Sequence, residues 1–346
     1  MNTITLPKPD DLHLHLRDGE ELSCVVGDSA RRFARAIIMP NLTPPVVNVE
    51  QALDYRRRIL ACLPDDTEFK PLMTLYLTDN TSKDEVQRVA DSAAVYAFKY
   101  YPAGATTNSD SGVTDINKVM PALEQMAQCD VPLLLHGEVT AAEVDVFDRE
   151  KVFIERILAP LLENINTLRV VLEHVTTADA VQFVTDGDDR IAATITPHHL
   201  MLNRNAMLAQ GINPHHYCLP LLKRERHRQA LVTAAISGNP KFFLGTDSAP
   251  HHAHAKAAPP CCAGIYNAHA AIELYASVFD AMDSLHTLER FAARNGARFY
   301  GLPLTTQTIT LRREPWRIPA TLRFADTVLV PFQAAQTCPW KLVEAP

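Results

Sequence analysis

The sequence contains no apolar run approaching the ~18 residues that a membrane helix needs, and its opening, MNTITLPKPD, lacks the apolar core of a secretion signal. These absences predict a soluble, cytoplasmic protein with no membrane partner. Glycine is sparse, 12 in 346 residues, and there is no low-complexity tract or sequence repeat, which excludes fibrous and disordered chains. Cysteine pairing is also missing. The seven cysteines (Cys24, Cys62, Cys129, Cys218, Cys261, Cys262 and Cys338) are odd in number, widely spread and without C-x-x-C spacing. That argues against a zinc ribbon or a disulfide framework and predicts reduced thiols. Positive charge is not in excess: the formal net charge of -7 argues against a nucleic-acid partner, whose non-specific binding rests on a basic surface. The local basic runs, Arg56 to Arg58 and KRERHR from Lys223, sit in helix-like patterns and read as solvated helix faces.

What is present is a chain that is 47% hydrophobic and 21% charged, long enough to bury a sizeable core. Short apolar runs alternate with longer helical patterns. Candidate strands lie at 11–16, 35–41, 71–77, 95–101, 131–137, 168–175, 191–197 and 241–247. Between them, segments such as VEQALDYRRRILACL (49–63) and INKVMPALEQMAQ (116–128) repeat apolar residues at three- and four-residue intervals, as helices do. Strand and helix in alternation imply parallel pairing, and eight such units suffice for a TIM-type (β/α)8 barrel. A doubly wound open sheet is the competing architecture. The barrel is expected over about residues 10–300, followed by a C-terminal extension over about 301–346 with strand-like pieces such as DTVLVPF, the whole forming one domain.

The polar residues that end these runs favour the barrel. His13 and His15 close the first run, Asn41 the second, Lys99 the fourth, His136 the fifth, His174 the sixth and Asp247 the eighth. In a barrel those ends meet at one face, where catalytic residues of that fold sit; an open sheet would spread them along an edge.

The first of them, in DDLHLHLRD, poses the sharpest chemical question. Alternation along a strand projects His13, His15 and Arg17 to one side, neighbours roughly 6 to 7 Å apart at Cα. Two imidazoles so placed can chelate one ion, although an isolated H-x-H also fits a strand with a wet face. Asp247 emerges directly from FFLGT, and a carboxylate leaving a buried strand needs a cation or a hydrogen-bond network. His136 and His174 each end an apolar run, where a lone histidine more often makes an ordinary hydrogen bond. Lys99, within AFKYY, is costly as an ammonium among apolar neighbours. It either snorkels to solvent or, as a neutral amine, reacts with carbon dioxide to give an anionic carbamate able to bridge two metals. Counted as donors, His13, His15, Asp247 and one carbamate oxygen serve one ion, and His136, His174 and the other oxygen serve a second. Nitrogen and oxygen donors in that number suit zinc.

Taken with HLHLRD, the motifs IMPNLTPP (38–45), KYYPAGATTNS (99–109), HGE (136–138), EHVTT (173–177), TPHHLMLNRN (196–205) and LGTDSAPH (244–251) resemble the dihydroorotase family of the amidohydrolase superfamily, in its short bacterial type. The match runs in order along nearly the whole chain. The resemblance implies two Zn²⁺ per subunit bridged by carboxylated Lys99 and a hydroxide, with metal ligands His13, His15, Lys99, His136, His174 and Asp247. It implies reversible hydrolysis of L-dihydroorotate to N-carbamoyl-L-aspartate in pyrimidine synthesis, Asp247 acting as the proton carrier, and a homodimer. It further implies that Arg17, Asn41 and His251 hold the substrate carboxylate beside His15, and that the main chains of Leu219 and Ala263 hold the ring. Thr106 and Thr107 would lie on a mobile loop over the substrate, although the residues alone read as a flexible surface turn.

Two features depart from the family pattern. His198 stands where its members usually carry glutamine, and no role is assigned to it. PPCCAG (259–264) keeps Ala263, but its cysteines have no ligand spacing. The surplus histidines His215, His216, His252, His254, His269 and His286 read as surface residues or as neighbours supporting the site. The competing readings are a hydantoinase or dihydropyrimidinase, a mononuclear deaminase, and an inactive scaffold. The first usually builds a β-sandwich partly from residues before the H-x-H motif, and only twelve residues precede His13. The second leaves Lys99 without a purpose, and the third would have lost ligands.

Overall fold

A computed structural model describes residues 2–65 and 67–343. The chain enters through β1 (Thr3–Pro7), a strand absent from the sequence-based expectation. Eight strands then follow, each inside or overlapping an expected apolar run: β2 (Asp10–Leu14), β3 (Arg35–Ile38), β4 (Lys70–Tyr76), β5 (Val95–Tyr100), β6 (Leu133–Leu135), β7 (Val170–Leu172), β8 (Ile191–Ile195) and β9 (Phe242–Leu244). They pair in sequence order, every neighbour parallel. The remaining seam joins the ends of β9 and β2. Leu14 bridges Ser248, the His15 amide donates to the Ser248 carbonyl at 3.1 Å, and the Asp247 amide donates to the His13 carbonyl at 2.9 Å. The sheet therefore curls into a barrel of the TIM type, and the open-sheet alternative falls.

Continuous apolar strands are what this closure demands, because each is buried on both faces. One side chain per strand fills the interior: Leu12, Ile37, Leu72, Ala97, Leu134, Val171, Ala192 and Phe243 form one buried cluster. Their neighbours one residue along, such as Ile38, Phe98, Leu135, Leu172, Ala193 and Leu244, belong instead to the larger core beneath the helices. That one-residue switch is the period-two alternation of a strand.

Helix boundaries follow capping chemistry. The helix Val49–Ala61 starts where the Asn48 side chain accepts from the Gln51 amide. The expected 116–128 helix is divided: a 3-10 turn, Ile116–Val119, leads into the α-helix Met120–Gln128. Pro121 explains the division, since proline has no amide to donate and belongs in a first turn. Of the basic runs, Arg57 and Arg58 are exposed, but Lys223 and His227 are buried. Lys223 precedes the helix Glu225–Ile236 and folds inward, its Nζ donating to the Leu221 carbonyl at 3.1 Å.

Past the barrel lie β10 (Thr308–Arg317), β11 (Leu322–Phe324), β12 (Thr327–Leu329) and β13 (Thr337–Val343). β11 and β12 form an antiparallel hairpin within which DTVLVPF supplies the second strand. β1, β10 and β13 form a three-stranded antiparallel sheet, so the residues ahead of the H-x-H motif are tied to the C-terminal extension. The last three residues of that extension lie outside the described residues. All seven cysteines are free thiols. No described helix is long and apolar enough to cross a membrane.

Candidate active site

At the barrel seam the H-x-H strand meets the aspartate that ends β9. His13 Nε2 lies 3.3 Å from His15 Nε2, and Asp247 Oδ1 lies 3.3 Å from His13 Nε2 and 3.1 Å from His15 Nε2. Gly245 makes this approach feasible: a Cβ there would fall 2.7 Å from Thr194 Cβ and 3.1 Å from His13 Cβ. Asp11 fastens the same seam from below. Its carboxylate accepts from the His13 amide at 3.2 Å, the Thr246 amide at 2.9 Å and the Thr246 hydroxyl at 2.6 Å.

Three site residues turn the chain back on itself with left-handed backbone: Arg17 (φ 61°), His174 (φ 43°) and Asp247 (φ 44°). Such conformations are uncommon outside glycine and gather where function fixes a side chain's direction.

Lys99 is fully buried at the end of β5, its Nζ bonded to Glu173 Oε2 and 5.1 Å above the Tyr101 ring. The same Glu173 oxygen lies 3.0 Å from His13 Nδ1. Burial draws the Lys99 amine toward its neutral form, although Glu173 opposes this. His15 is pulled down to about 4 by burial. Burial would raise Asp247, but His13 and His15 outweigh it and hold the carboxylate well below its ordinary range. His136 Nε2 is turned to Glu138 Oε2 at 3.0 Å, and the His136 and His13 rings each stand 5.0 Å from the His174 ring.

These donors leave buried polar atoms without hydrogen-bond partners: His174 Nδ1, Glu173 Oε1 and Glu138 Oε1. Unpaired buried polar atoms are costly, and a shared cation removes the cost. Two groupings bring ligand atoms within 4.8 Å of one another: His13, His15 and Asp247, and His13, Glu173 and His174. The nitrogen and oxygen donor set fits a borderline divalent metal such as zinc. The first grouping corresponds to the expected first ion. In the second, Glu173 takes a place beside His174, while His136 is engaged by Glu138 and Lys99 by Glu173.

Above the histidines, His15 Nδ1 meets Asn41 Oδ1 at 2.8 Å. The Arg17 guanidinium donates through Nε to the Pro250 carbonyl, and its Nη2 lies 2.9 Å from His251 Nε2. His251 Nε2 is also 2.9 Å from the Ala263 carbonyl. Burial and the neighbouring Arg17 hold the His251 imidazole well below its usual value, so it is neutral. The 104–109 loop lies across this group. Asn41 Nδ2 donates to the Thr107 carbonyl at 3.2 Å, and the Thr107 hydroxyl donates to the Ala263 carbonyl at 3.3 Å. Thr106, Thr107, Leu219, Ala263 and Gly264 wall the same cavity as His13, His15, Arg17, Asn41, His136, His174 and Asp247. Lys99 lies beneath that wall, within the barrel.

Some residues of this neighbourhood escaped the sequence reading. Glu173 and Glu138 lie inside motifs quoted for their histidines; the readable signal was a second carboxylate at the end of an apolar run. Tyr101 lines the cavity. Glu150 had no such signal: from a helix distant in sequence, its buried carboxylate accepts the amides and hydroxyls of Thr176 and Thr177, fixing the turn after His174. His198 is buried, its ring 4.5 Å from His199 and its Nδ1 3.4 Å from Asn267 Nδ2. It forms a third grouping with His199 and Cys218. There His199 is already engaged, by the Thr196 hydroxyl at 2.8 Å and the Pro220 carbonyl at 3.0 Å, and burial pushes the Cys218 thiol up to about 12. His252 bonds Glu21 and Thr327, and His269 is buried rather than superficial, stacked on Tyr266.

Comparison with known proteins places this geometry. No family model matches the chain. The dihydroorotase of Nitrosococcus oceani is 58% identical over 344 residues, covering 99% of this chain and 100% of that protein. Among solved structures, the dihydroorotase of Campylobacter jejuni superposes with a TM-score of 0.91 at 35% identity, over 99% of this chain and 98% of that one. The Saccharomyces cerevisiae dihydroorotase in complex with 5-fluoroorotic acid gives 0.92 at 30% identity, over the full length of both chains. A barrel whose strand ends gather imidazoles and carboxylates around unsatisfied buried donors, in a sequence so close to these proteins from end to end, belongs to the dihydroorotase family of cyclic amide hydrolases.

Proposed function

We propose that this chain interconverts L-dihydroorotate and N-carbamoyl-L-aspartate at two Zn²⁺ ions per subunit, held by His13, His15, carboxylated Lys99, His136, His174 and Asp247. The observation that carries this reading is the gathering of those six side chains from the ends of five strands, together with buried polar atoms that lack hydrogen-bond partners. The amine of Lys99, drawn toward neutrality by burial, would attack carbon dioxide and release a proton, leaving an anionic carbamate that would help to hold the metal. When bound, the metal pair supplies a hydroxide nucleophile at neutral pH and Lewis acidity for the ring carbonyl.

The protein groups do the rest. Arg17 presents a planar fork suited to the substrate carboxylate, with Asn41, His251 and His15 beside it. The main chains of Leu219 and Ala263 hold the ring. Asp247, whose Oδ1 already faces both His13 and His15, accepts the nucleophile's proton and returns it to the departing ring nitrogen. Ring closure reverses those steps. Thr106 and Thr107 cover the substrate and exclude water. The Saccharomyces cerevisiae dihydroorotase was solved in complex with 5-fluoroorotic acid, a ring bearing a carboxylate, which supports a substrate of that chemistry. The reading includes a cytoplasmic homodimer serving de novo pyrimidine synthesis, each subunit one domain over 1–346.

Incubation of the purified protein with L-dihydroorotate and, separately, with dihydrouracil tests the substrate. Ring loss from L-dihydroorotate with little from dihydrouracil is expected. Turnover of dihydrouracil alone would overturn the assignment.

A further inference from the structure

Behind the pocket, on the short helix Ala253–Ala257, lies a cation whose hydrogen bonds go to main-chain carbonyls and not to a carboxylate. Lys256 is 4% exposed, and its Nζ donates to the Tyr217 carbonyl at 2.6 Å and to the Gly264 carbonyl at 2.7 Å. Placing an ammonium here is costly, and only strong, charge-assisted hydrogen bonds repay it. The two acceptors are not arbitrary. Tyr217 is two residues before Leu219, and Gly264 follows Ala263. The Tyr217 carbonyl accepts a second time, from the Gly264 amide at 3.0 Å. Lys256 therefore sits where the segment leading to Leu219 and the segment following Ala263, both of which contribute to the pocket wall, are hydrogen-bonded to each other.

That junction has no slack. Gly264 adopts φ +148°, and a Cβ on it would fall 2.8 Å from Ala249 Cβ and 2.9 Å from His251 Cδ2. On the pocket side of the same segment, the Ala263 carbonyl receives His251 Nε2 and the Thr107 hydroxyl. A displacement of Gly264 thus reaches the neighbour of Arg17 and the covering loop together.

We propose that Lys256 is a positioning residue for substrate binding, its ammonium tying the Tyr217 and Gly264 carbonyls together so as to set the width of the pocket between Leu219 and Ala263. This rests on the reading that those two main-chain segments hold the substrate ring. Lys256 touches no reacting atom, so its removal loosens binding and leaves chemistry nearly intact. Burial also draws its pKa down to about 8, within reach of ordinary assay conditions. The titratable groups around it are the thiols of Cys218, Cys261 and Cys262, the Tyr217 ring at 5.8 Å, and the imidazoles of His198, His215 and His251. Protonated Lys256 holds both carbonyls with full charge; loss of the proton weakens both bonds, so KM rises as pH climbs through that value.

The test is steady-state hydrolysis of L-dihydroorotate by the metal-loaded enzyme and its Lys256→Met variant across pH. The variant is expected to raise KM about tenfold with kcat changed less than about twofold, the loss of charge-assisted hydrogen bonds. Its KM is expected to be flat between pH about 7 and about 9, where the wild-type KM rises. A fall in kcat at unchanged KM, or a wild-type pH dependence of KM that persists in Lys256→Met, overturns the proposal. Should that variant fail to fold, the wild-type profile decides: a KM constant over the same range overturns it equally. The underlying reading is checked separately by Ala263→Val, which narrows the pocket directly. An unchanged KM there would remove the role of Ala263 whatever Lys256 does.

Discussion

Lys99 and Glu173, both buried, share a hydrogen bond inside the barrel, and the Glu173 oxygen that makes it also lies 3.0 Å from His13 Nδ1. A plain ammonium at this place requires that counterion, whereas a carbamate carries its own negative charge and leaves Glu173 to orient His13. The two states answer differently to mutation. On the proposed reading, Lys99→Ala is expected to lose bound zinc and to lower kcat/KM by about 1000-fold or more, since the carbamate that would hold the metal goes with it. A short-chain carboxylic acid, filling the vacated space with a carboxylate, should restore part of the activity. Metal analysis of the purified variant checks the claim: two zinc ions per chain in Lys99→Ala would contradict the bridging role.

Removing metal from the wild type probes the same pocket by another readout. Buried atoms such as His174 Nδ1, Glu173 Oε1 and Glu138 Oε1 have no partner within the protein; on the proposed reading bound ions relieve that cost, so the folded state should bind metal far more tightly than the unfolded chain. At free zinc of about 100 times Kd, linkage adds about 2.7 kcal/mol to stability per site. A chelator should therefore abolish activity and lower Tm by several degrees, and zinc should restore both. An unchanged Tm on full metal removal would argue against the site.

On the proposed reading Arg17 reads the substrate carboxylate by shape. Its Nε is committed to the Pro250 carbonyl and its Nη2 stands beside neutral His251, which fixes the plane of the guanidinium. Arg17→Lys keeps the charge and loses the fork, so KM for L-dihydroorotate should rise by about ten- to a hundredfold with a smaller change in kcat. Equal loss in kcat and kcat/KM, with KM constant, would place Arg17 in the chemical step instead.

Much of this site was legible because its chemistry interrupts apolar strands. His13, His15, His136, His174, Lys99 and Asp247 each stand where a buried run ends, and a polar group leaving such a run needs an explanation that the sequence itself supplies. The barrel was legible for the same reason: mostly apolar runs fit strands covered on both faces, and their polar ends favour a closed barrel, where they meet at one face, over an open sheet. What stayed hidden depends on contacts distant in sequence. Glu150 reaches Thr176 and Thr177 from a helix with no motif, and Lys256 meets Tyr217 across 39 positions, so neither has a local signature. β1 was missed because its partner, β10, begins some 300 residues later. The 116–128 helix was placed by its apolar period, which carries no information on the 3-10 turn before Pro121.

The Asp11 carboxylate makes the barrel seam a cooperative element. It satisfies the amides of His13 and Thr246 and the Thr246 hydroxyl in a fully buried setting. Asp11→Ala leaves the two amides without their carboxylate acceptor and the Thr246 hydroxyl with only its longer bond to the His13 carbonyl, at 3.3 Å, and opens a cavity, for an expected loss of about 3 kcal/mol. Denaturant unfolding of the metal-loaded protein measures it. A loss below about 1 kcal/mol would mean that the main-chain bonds between β2 and the end of β9 hold the seam alone.

The covering loop is tied down by few and long hydrogen bonds. Beyond its own turn, the loop is fastened by the Thr107 carbonyl to Asn41 Nδ2, by the Thr107 hydroxyl to the Ala263 carbonyl, by Asn108 Nδ2 to the Asn41 carbonyl and by the Asn108 carbonyl to the Tyr76 hydroxyl, at 3.1 to 3.3 Å. With the loop in place, the cavity beneath it is narrow, leaving about 30 Å³ for the centre of a water-sized sphere. On the proposed reading the loop lifts for substrate to enter and settles again around it. Segments held so lightly open at low free-energy cost, and a ligand that adds contacts raises that cost. Amide hydrogen exchange over residues 103–111 should therefore be fast in the metal-loaded free enzyme and slow by about tenfold or more with saturating N-carbamoyl-L-aspartate. Thr107→Ala should lessen that protection and lower kcat/KM, while exchange in β5 and β6 stays unchanged. Equal protection with and without ligand would mean that the loop is a fixed wall and that substrate enters by another route.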